Sequence, residues 1–238
     1  MVLDRKIAIV TGASKGLGRA IASALVHKGC TVYGLARNGQ VLSQVQNELG
    51  ELFKPISLDM TDCKAVQSWV VETFSEDYGP DILINNAGLG FFKSVDKTSL
   101  EEWHDAMNTN LNALYYITSA ITPLMKARST SCHIINIGSI LGHIGRSEAT
   151  AYCASKFGVR GFSEALYIEL RPYNIKVTCL NPGSIETDFF ESSGIFPHDN
   201  MLHPEDLANT VVHVLETPDN MLINELIIRP LNPKPPTK

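Results

Sequence analysis

Short apolar runs alternate along this chain with segments of helical length, and that alternation leaves few possible architectures. Residues 6–11 (KIAIVT), 31–36, 53–58, 81–85 (DILIN), 133–138 (HIINIG), 175–180 and 222–229 read as seven strands. Between them, residues 17–28, 40–49, 62–78, 105–126, 150–171 and 204–217 read as helices. In the first helix Ala20, Ile21, Ala24 and Leu25 fall on one face. Ser99 with Glu102 three positions on forms a capping pair. Pro204 suits a first turn, whereas Pro123 is expected to bend or fray the end of its helix. Repeated βα units favour a parallel sheet with helices on both faces, an α/β fold. No linker divides residues 1–238, so the expectation is a single domain.

Composition narrows the possible partners. The net charge of −5 gives no basic footprint for nucleic acid, and 44% hydrophobic with 19% charged residues is ordinary for a soluble domain. Cys30, Cys63, Cys132, Cys153 and Cys179 are odd in number and contain no C-x-x-C, so neither a disulfide framework nor a metal site is expected. The first residues lack the apolar stretch of a signal peptide, and no run is long enough to cross a bilayer. A cytoplasmic location is expected.

The first strand leads through Thr11-Gly12-Ala13-Ser14-Lys15-Gly16-Leu17-Gly18 into the first helix. Glycines there let the backbone approach a pyrophosphate, and the helix N-terminus supplies amide donors and a positive dipole end. An acid closing the second strand would accept from an adenosine ribose and repel a 2′-phosphate. Ala36 and Arg37 stand in that region instead, with Lys15 in the glycine loop. Two cations at the edges of one pocket favour a 2′-phosphate, hence NADP(H).

Tyr152 and Lys156 are spaced i, i+4, one helical turn apart on a common face. An ammonium beside a phenol is expected to lower its pKa and make it a usable acid and base. Ser139 follows the fifth strand, where its hydroxyl can reach a substrate oxygen. Asn85-Asn86-Ala87-Gly88 closes the fourth strand, and Asn110 lies within a long helix.

Taken in order, these motifs resemble the short-chain dehydrogenase/reductase family over nearly the whole chain, including Asp59 after the third strand and Asn181-Pro182-Gly183 with Thr187. The resemblance implies a Rossmann-type, doubly wound sheet of order 3-2-1-4-5-6-7. It implies Tyr152 as proton donor, Ser139 polarising the substrate oxygen and Lys156 tuning Tyr152 while holding the nicotinamide ribose. Asn110 would anchor a water in a proton relay. The implied cofactor-binding set is Gly12, Ser14, Lys15, Gly16, Leu17 and Gly18, then Arg37, Asp59 and Met60, then Asn86, Ala87 and Gly88. Tyr152, Lys156, Pro182, Gly183, Ile185 and Thr187 complete it.

The expected activity is hydride transfer between NADP(H) and a carbonyl or secondary alcohol: a 3-oxoacyl thioester, a 3-hydroxy acid or a ketone. The competing reading is an NADPH-binding regulator without turnover, which the intact Ser139, Tyr152 and Lys156 disfavour. His143 is either a substrate contact or a rim residue. Phe91–Phe92 and Phe189–Phe190 either wall an apolar pocket or simply pack. Residues 184–203 are expected to close over substrate. Apolar Phe157, Phe162, Leu166 and Leu170 suggest a homotetramer.

Overall fold

The chain builds one seven-stranded parallel sheet of order β3-β2-β1-β4-β5-β6-β7. The computed structural model describes residues 1–187, 189 and 197–236. The strands are β1 (Ile7–Thr11), β2 (Thr31–Ala36), β3 (Phe53–Ser57), β4 (Ile82–Asn85), β5 (Cys132–Ile137), β6 (Ile175–Pro182) and β7 (Glu225–Ile228). The helices are α1 (Gly16–His27), α2 (Gly39–Leu49), α3 (Cys63–Thr73), α4 (Leu100–Met107), α5 (Ala113–Lys126), α6 (Thr150–Leu170) and α7 (Pro204–Leu215).

The pleat explains the two-sided core. In β1, Ala8 and Val10 pack under Ile21 and Leu25 of α1 and Val211 of α7. Ile7 and Ile9 turn to the opposite face, against Val66 of α3, Ile117 and Ile121 of α5 and Leu170 of α6. With both faces covered, strands such as β4 and β5 are buried at every residue. Burial on both faces is why they read as largely apolar runs without polar alternation.

Four expectations need correction. The helix expected over 62–78 ends at Thr73, with Asp62 accepting from the amides of Lys64 and Ala65 at its start. Phe74 is extended because its ring joins a cluster, 5.2 Å from Tyr33 and 5.5 Å from Trp69. The helix expected over 105–126 starts earlier, at the Ser99–Glu102 capping box. It then widens into a π turn at Asn108–Asn112 before continuing as α5. Pro123 does not fray it: α5 runs to Lys126, and the Ala127 amide still donates to the Pro123 carbonyl at 3.2 Å. Among the four apolar residues singled out on α6, Leu166 and Leu170 are buried and Phe162 packs on the core, leaving only Phe157 exposed.

The edge of the sheet opposite the strands' C-termini carries buried charge. Asp81 accepts from Lys6 Nζ at 3.0 Å, the Ile7 amide at 3.0 Å and Arg128 at 3.1 Å. Nearby, His133 is fully buried, with Nε2 2.8 Å from Thr178 Oγ1. The Thr178 hydroxyl spends its hydrogen on the Ile223 carbonyl at 2.6 Å, so it must accept from His133. The imidazole is therefore the Nε2–H tautomer, and its buried Nδ1 meets no partner among the described residues.

Burial, reinforced by Lys176 and the N-terminal ammonium, pushes the His133 pKa down to about 3. A base whose folded pKa is depressed binds its proton more readily unfolded, so its contribution is complete above pH 6.5 and is lost as pH falls toward 3. At pH 4.5 the loss is about 2–3 kcal/mol. His133→Gln should lower stability at pH 7 but flatten the decline between pH 6.5 and 4.5. Urea titrations of both proteins at the two pH values check this, and parallel declines would contradict it.

Candidate active site

A cavity of about 910 Å³ opens at the C-terminal ends of the strands. It lies where the sheet order reverses between β1 and β4, the place where open α/β sheets leave a crevice. Its size suits a dinucleotide together with a small substrate.

The glycine loop forms one wall, with Gly12, Ser14, Lys15, Gly16 and Leu17 all facing the cavity. Gly12 has φ +68°, and a Cβ there would come within 2.9 Å of Asn86 Nδ2. The loop is tied to the turn after β4 by Thr11, whose hydroxyl accepts from the Asn86 and Ala87 amides at 3.0 Å each. Asn86 Nδ2 donates back to the Thr11 carbonyl at 3.0 Å. Gly18, expected among the cofactor contacts, is buried away from the cavity. A Cβ there would collide with the Gly12 carbonyl at 2.2 Å, so its task is to bring α1 against the loop. Thr187 seals the loop from the far side, its methyl 3.2 Å from where a Gly16 Cβ would stand.

At the β2–β3 end, Arg37 is exposed and lines the cavity with Asp59 and Met60. The Asp59 carboxylate accepts from the Thr61 amide at 2.9 Å and the Thr61 hydroxyl at 2.8 Å. These bonds, with Arg37 nearby, hold its pKa below the ordinary carboxylate value. Asn86, Ala87, Gly88, Pro182, Gly183, Ile185 and Thr187 also line the cavity, toward its centre.

Ser139, Tyr152 and Lys156 converge at the other end. Tyr152 and Lys156 occupy the buried face of the first turns of α6. Lys156 Nζ donates to the Ile137 carbonyl at 2.8 Å and lies 5.7 Å from the centre of the Tyr152 ring. Burial lowers its pKa to about 8. Burial also pushes Tyr152 up to about 12, against the pull of Ser139, opposite in direction to the lowering expected from the Tyr–Lys spacing. The reason is that desolvation dominates and the ammonium is directed at the Ile137 carbonyl. Ser139 Oγ accepts from the Leu141 amide at 3.1 Å, which leaves its own hydrogen to donate.

Asn110 sits in the π turn, buried and outside the cavity lining. Its side chain donates to the Leu89 carbonyl and to Ser155 Oγ, both at 2.9 Å, and accepts from the Leu89 amide at 2.8 Å. It thus braces the turn after β4 against α6. Both amide hydrogens are committed to protein groups.

Behind Ser139, Asn181 accepts from the Ser139 amide at 3.2 Å and donates to Glu225 Oε1 at 3.1 Å. Arg160 Nε donates to the same oxygen at 3.1 Å. His143 Nε2 approaches it to 3.1 Å, close enough for an ion pair but outside hydrogen-bond geometry. His143 therefore faces Glu225 and does not line the cavity. Phe92 and Phe189 pack on Tyr152 with ring centres 5.5 and 5.7 Å away, and Phe189 lines the cavity. Phe190 and most of residues 188–196 lie outside the described residues. Cys153, one residue past Tyr152, is buried beside Leu141 and Ala149.

Sequence reasoning passed over Leu141, Ile144 and Arg146, which line the substrate end, and Thr11, which ties the two loops. The signal for the first group was position alone, between Ser139 and Tyr152.

Residues 6–195 match the short chain dehydrogenase family. The chain is 39% identical to the 3-oxoacyl-[acyl-carrier-protein] reductase of Vibrio harveyi over 190 residues, covering 79% of this chain and 77% of that protein. It superposes on a closed serine dehydrogenase complexed with NADP+ with a TM-score of 0.87 and 33% identity, covering 93% of each chain. A 3-ketoacyl-(acyl-carrier-protein) reductase from Brucella melitensis complexed with NADH gives 0.87 and 28%, covering 94% of this chain and 97% of that one. The chain belongs to the short chain dehydrogenase family.

Proposed function

We propose that this oxidoreductase uses NADP(H) to interconvert a carbonyl and a secondary alcohol, with residues 1–238 working as one catalytic domain. The observation that carries this reading is the convergence of Tyr152, Ser139 and Lys156 on the cavity that the glycine loop also lines. The donor set fits a dinucleotide. Gly12 lets the loop close against the Asn86–Ala87 turn, the N-terminus of α1 faces the cavity where a pyrophosphate would lie, and Arg37 stands where a 2′-phosphate would project. Gly16, Ser14, Lys15 and Leu17 would hold the phosphates, Asp59 and Met60 the adenine, and Asn86 to Gly88 the adjoining ribose. Pro182, Gly183, Ile185 and Thr187 would border the nicotinamide.

The cofactor, when bound, supplies or accepts the hydride. During reduction Tyr152 gives its phenolic proton to the carbonyl oxygen as the new C–H bond forms. Burial keeps that phenol protonated at neutral pH. Ser139, its lone pair filled by the Leu141 amide, donates to the same oxygen as negative charge develops. Lys156 stabilises the phenolate left behind and would hold the nicotinamide ribose when the cofactor is bound. A relay role for Asn110 runs through its backbone carbonyl, because its carboxamide hydrogens are taken.

The substrate is a 3-oxoacyl thioester, a 3-hydroxy acid or a ketone; relatives named for the first chemistry and for serine both support this range. A homotetramer fits the apolar Trp103, Tyr115, Phe157 and Ile168 exposed on α4, α5 and α6. Among the described residues no helix is long and apolar enough to cross a membrane, and we place the enzyme in the cytoplasm. A regulator without turnover is the second reading; the buried Lys156, held by a carbonyl and not by a carboxylate, opposes it, since burying a charge without a chemical task is costly.

Tyr152→Phe should cut turnover about 10²–10⁴-fold while leaving NADPH affinity intact, measured by steady-state kinetics beside NADPH titration. Arg37→Ala should cost about 1.5–3 kcal/mol in NADPH binding and nothing in NADH binding. Unmodified protein that binds both cofactors equally would sink the NADPH assignment. The kcat/KM for NADPH should fall with unit slope above pH 8, as Lys156 loses its proton, and a profile flat to pH 10 would contradict that assignment.

A further inference from the structure

Lys156 and Arg146 both line the cavity, and Lys156 is already committed to the Ile137 carbonyl. Arg160 and Lys93, outside the lining, pair with Glu225 and Glu102. Arg146 differs. It lines the cavity, it is exposed, and no carboxylate pairs with it among the described residues. Its guanidinium carbon is held 5.4 Å over the Phe92 ring. Phe92 in turn lies against Tyr152 with ring centres 5.5 Å apart. The cation–π contact orients the exposed guanidinium without neutralising it. The planar fork, separated from the proton donor by the Phe92 ring, can take a carboxylate bidentately.

Distance selects among anions. Arg146 is two ring contacts from the phenol that must meet the reacting carbonyl. A carboxylate a few bonds from that carbonyl spans the gap, whereas the phosphate at the far end of a pantetheine arm lies beyond it. Apolar Leu141, Ile144 and Phe189 line the same cavity, as do the polar Ser184 and Glu186; of these Arg146 alone carries a positive charge to meet a carboxylate.

We propose that Arg146 is the substrate-anion anchor of this site, and that the substrate is a short 3-oxo or 3-hydroxy acid bound through its free carboxylate. The proposal rests on the oxidoreductase reading above and narrows it.

Acetoacetate and methyl acetoacetate are matched substrates with and without the charge. With NADPH, the unmodified enzyme should prefer the acid. Arg146→Met should lower kcat/KM for acetoacetate about 5- to 50-fold, mostly through KM, and leave the ester unchanged. Arg146→Lys should retain part of the preference, and NADPH affinity should be the same in all three proteins. Equal effects on acid and ester, or none on either, overturn the proposal. An effect confined to acetoacetyl coenzyme A, absent with the neutral acetoacetyl-N-acetylcysteamine and with acetoacetate, assigns the anion to the arm's phosphates and also overturns it. Should no carbonyl compound be turned over, the oxidoreductase reading fails by itself. Calorimetry of acetoacetate binding to the NADP⁺-loaded protein then decides on Arg146: binding weakened in Arg146→Met supports the anchor, and identical binding in both refutes it.

Discussion

The site depends on the strap between β1 and β4. Thr11 ends one strand, and its hydroxyl receives two successive amides from the turn that ends the other. Asn86 returns a hydrogen bond to the Thr11 carbonyl. Parallel neighbours that wind in opposite directions leave a crevice, and nothing in sheet pairing alone fixes the width of its mouth. The strap fixes it. Gly12 and Gly18 can then be as close as they are because neither carries a side chain to push the walls apart. The arrangement sets a phosphate-sized cradle at one end of a cavity whose other end holds Tyr152.

Burial is the second constraint, and it acts against charge. Lys156 and Tyr152 are both removed from water, so each favours its neutral form: the lysine is lowered and the tyrosine raised. A phenol held protonated serves as an acid, which suits carbonyl reduction. A lysine near neutrality is held in place by the Ile137 carbonyl rather than by a counter-ion. Low dielectric at this end also strengthens every hydrogen bond aimed at a developing oxyanion. The same reasoning explains His133 at the opposite edge, where burial without a partner for Nδ1 forbids a second proton.

The sheet was legible in the sequence because strands buried on both faces are apolar at most positions. The capping pair Ser99 and Glu102 was legible for a local reason, since both partners lie within one turn. What was hidden is tertiary. Phe74 ends α3 because its ring turns onto Tyr33 of β2, beside Trp69 of its own helix, and no local propensity records the contact with Tyr33. The π turn that places Asn110 has no residue signature separate from ordinary helix. The i, i+4 spacing of Tyr152 and Lys156 gave their proximity but not their burial, so the direction of the tyrosine shift was misread. Gly18 belongs to the glycine motif yet serves packing. Arg146 was invisible because the ring that positions it, Phe92, is distant in the chain.

Glu225 shows how the last strand joins the chemistry. Its one oxygen collects Asn181 from β6 and Arg160 from α6, with His143 close by from the segment after Ser139. Asn181 passes that constraint to the Ser139 backbone amide. Gly138 is required just there, because a Cβ would stand 2.1 Å from the Asn181 oxygen. A strand four residues long at the edge of the sheet thus helps aim the serine hydroxyl, although no atom of Glu225 lines the cavity. The carboxylate is partly exposed, so its value lies in orientation more than in net stability, which surface pairs supply poorly. Orientation is what a donor to a developing oxyanion needs, since it must be in place before the charge appears.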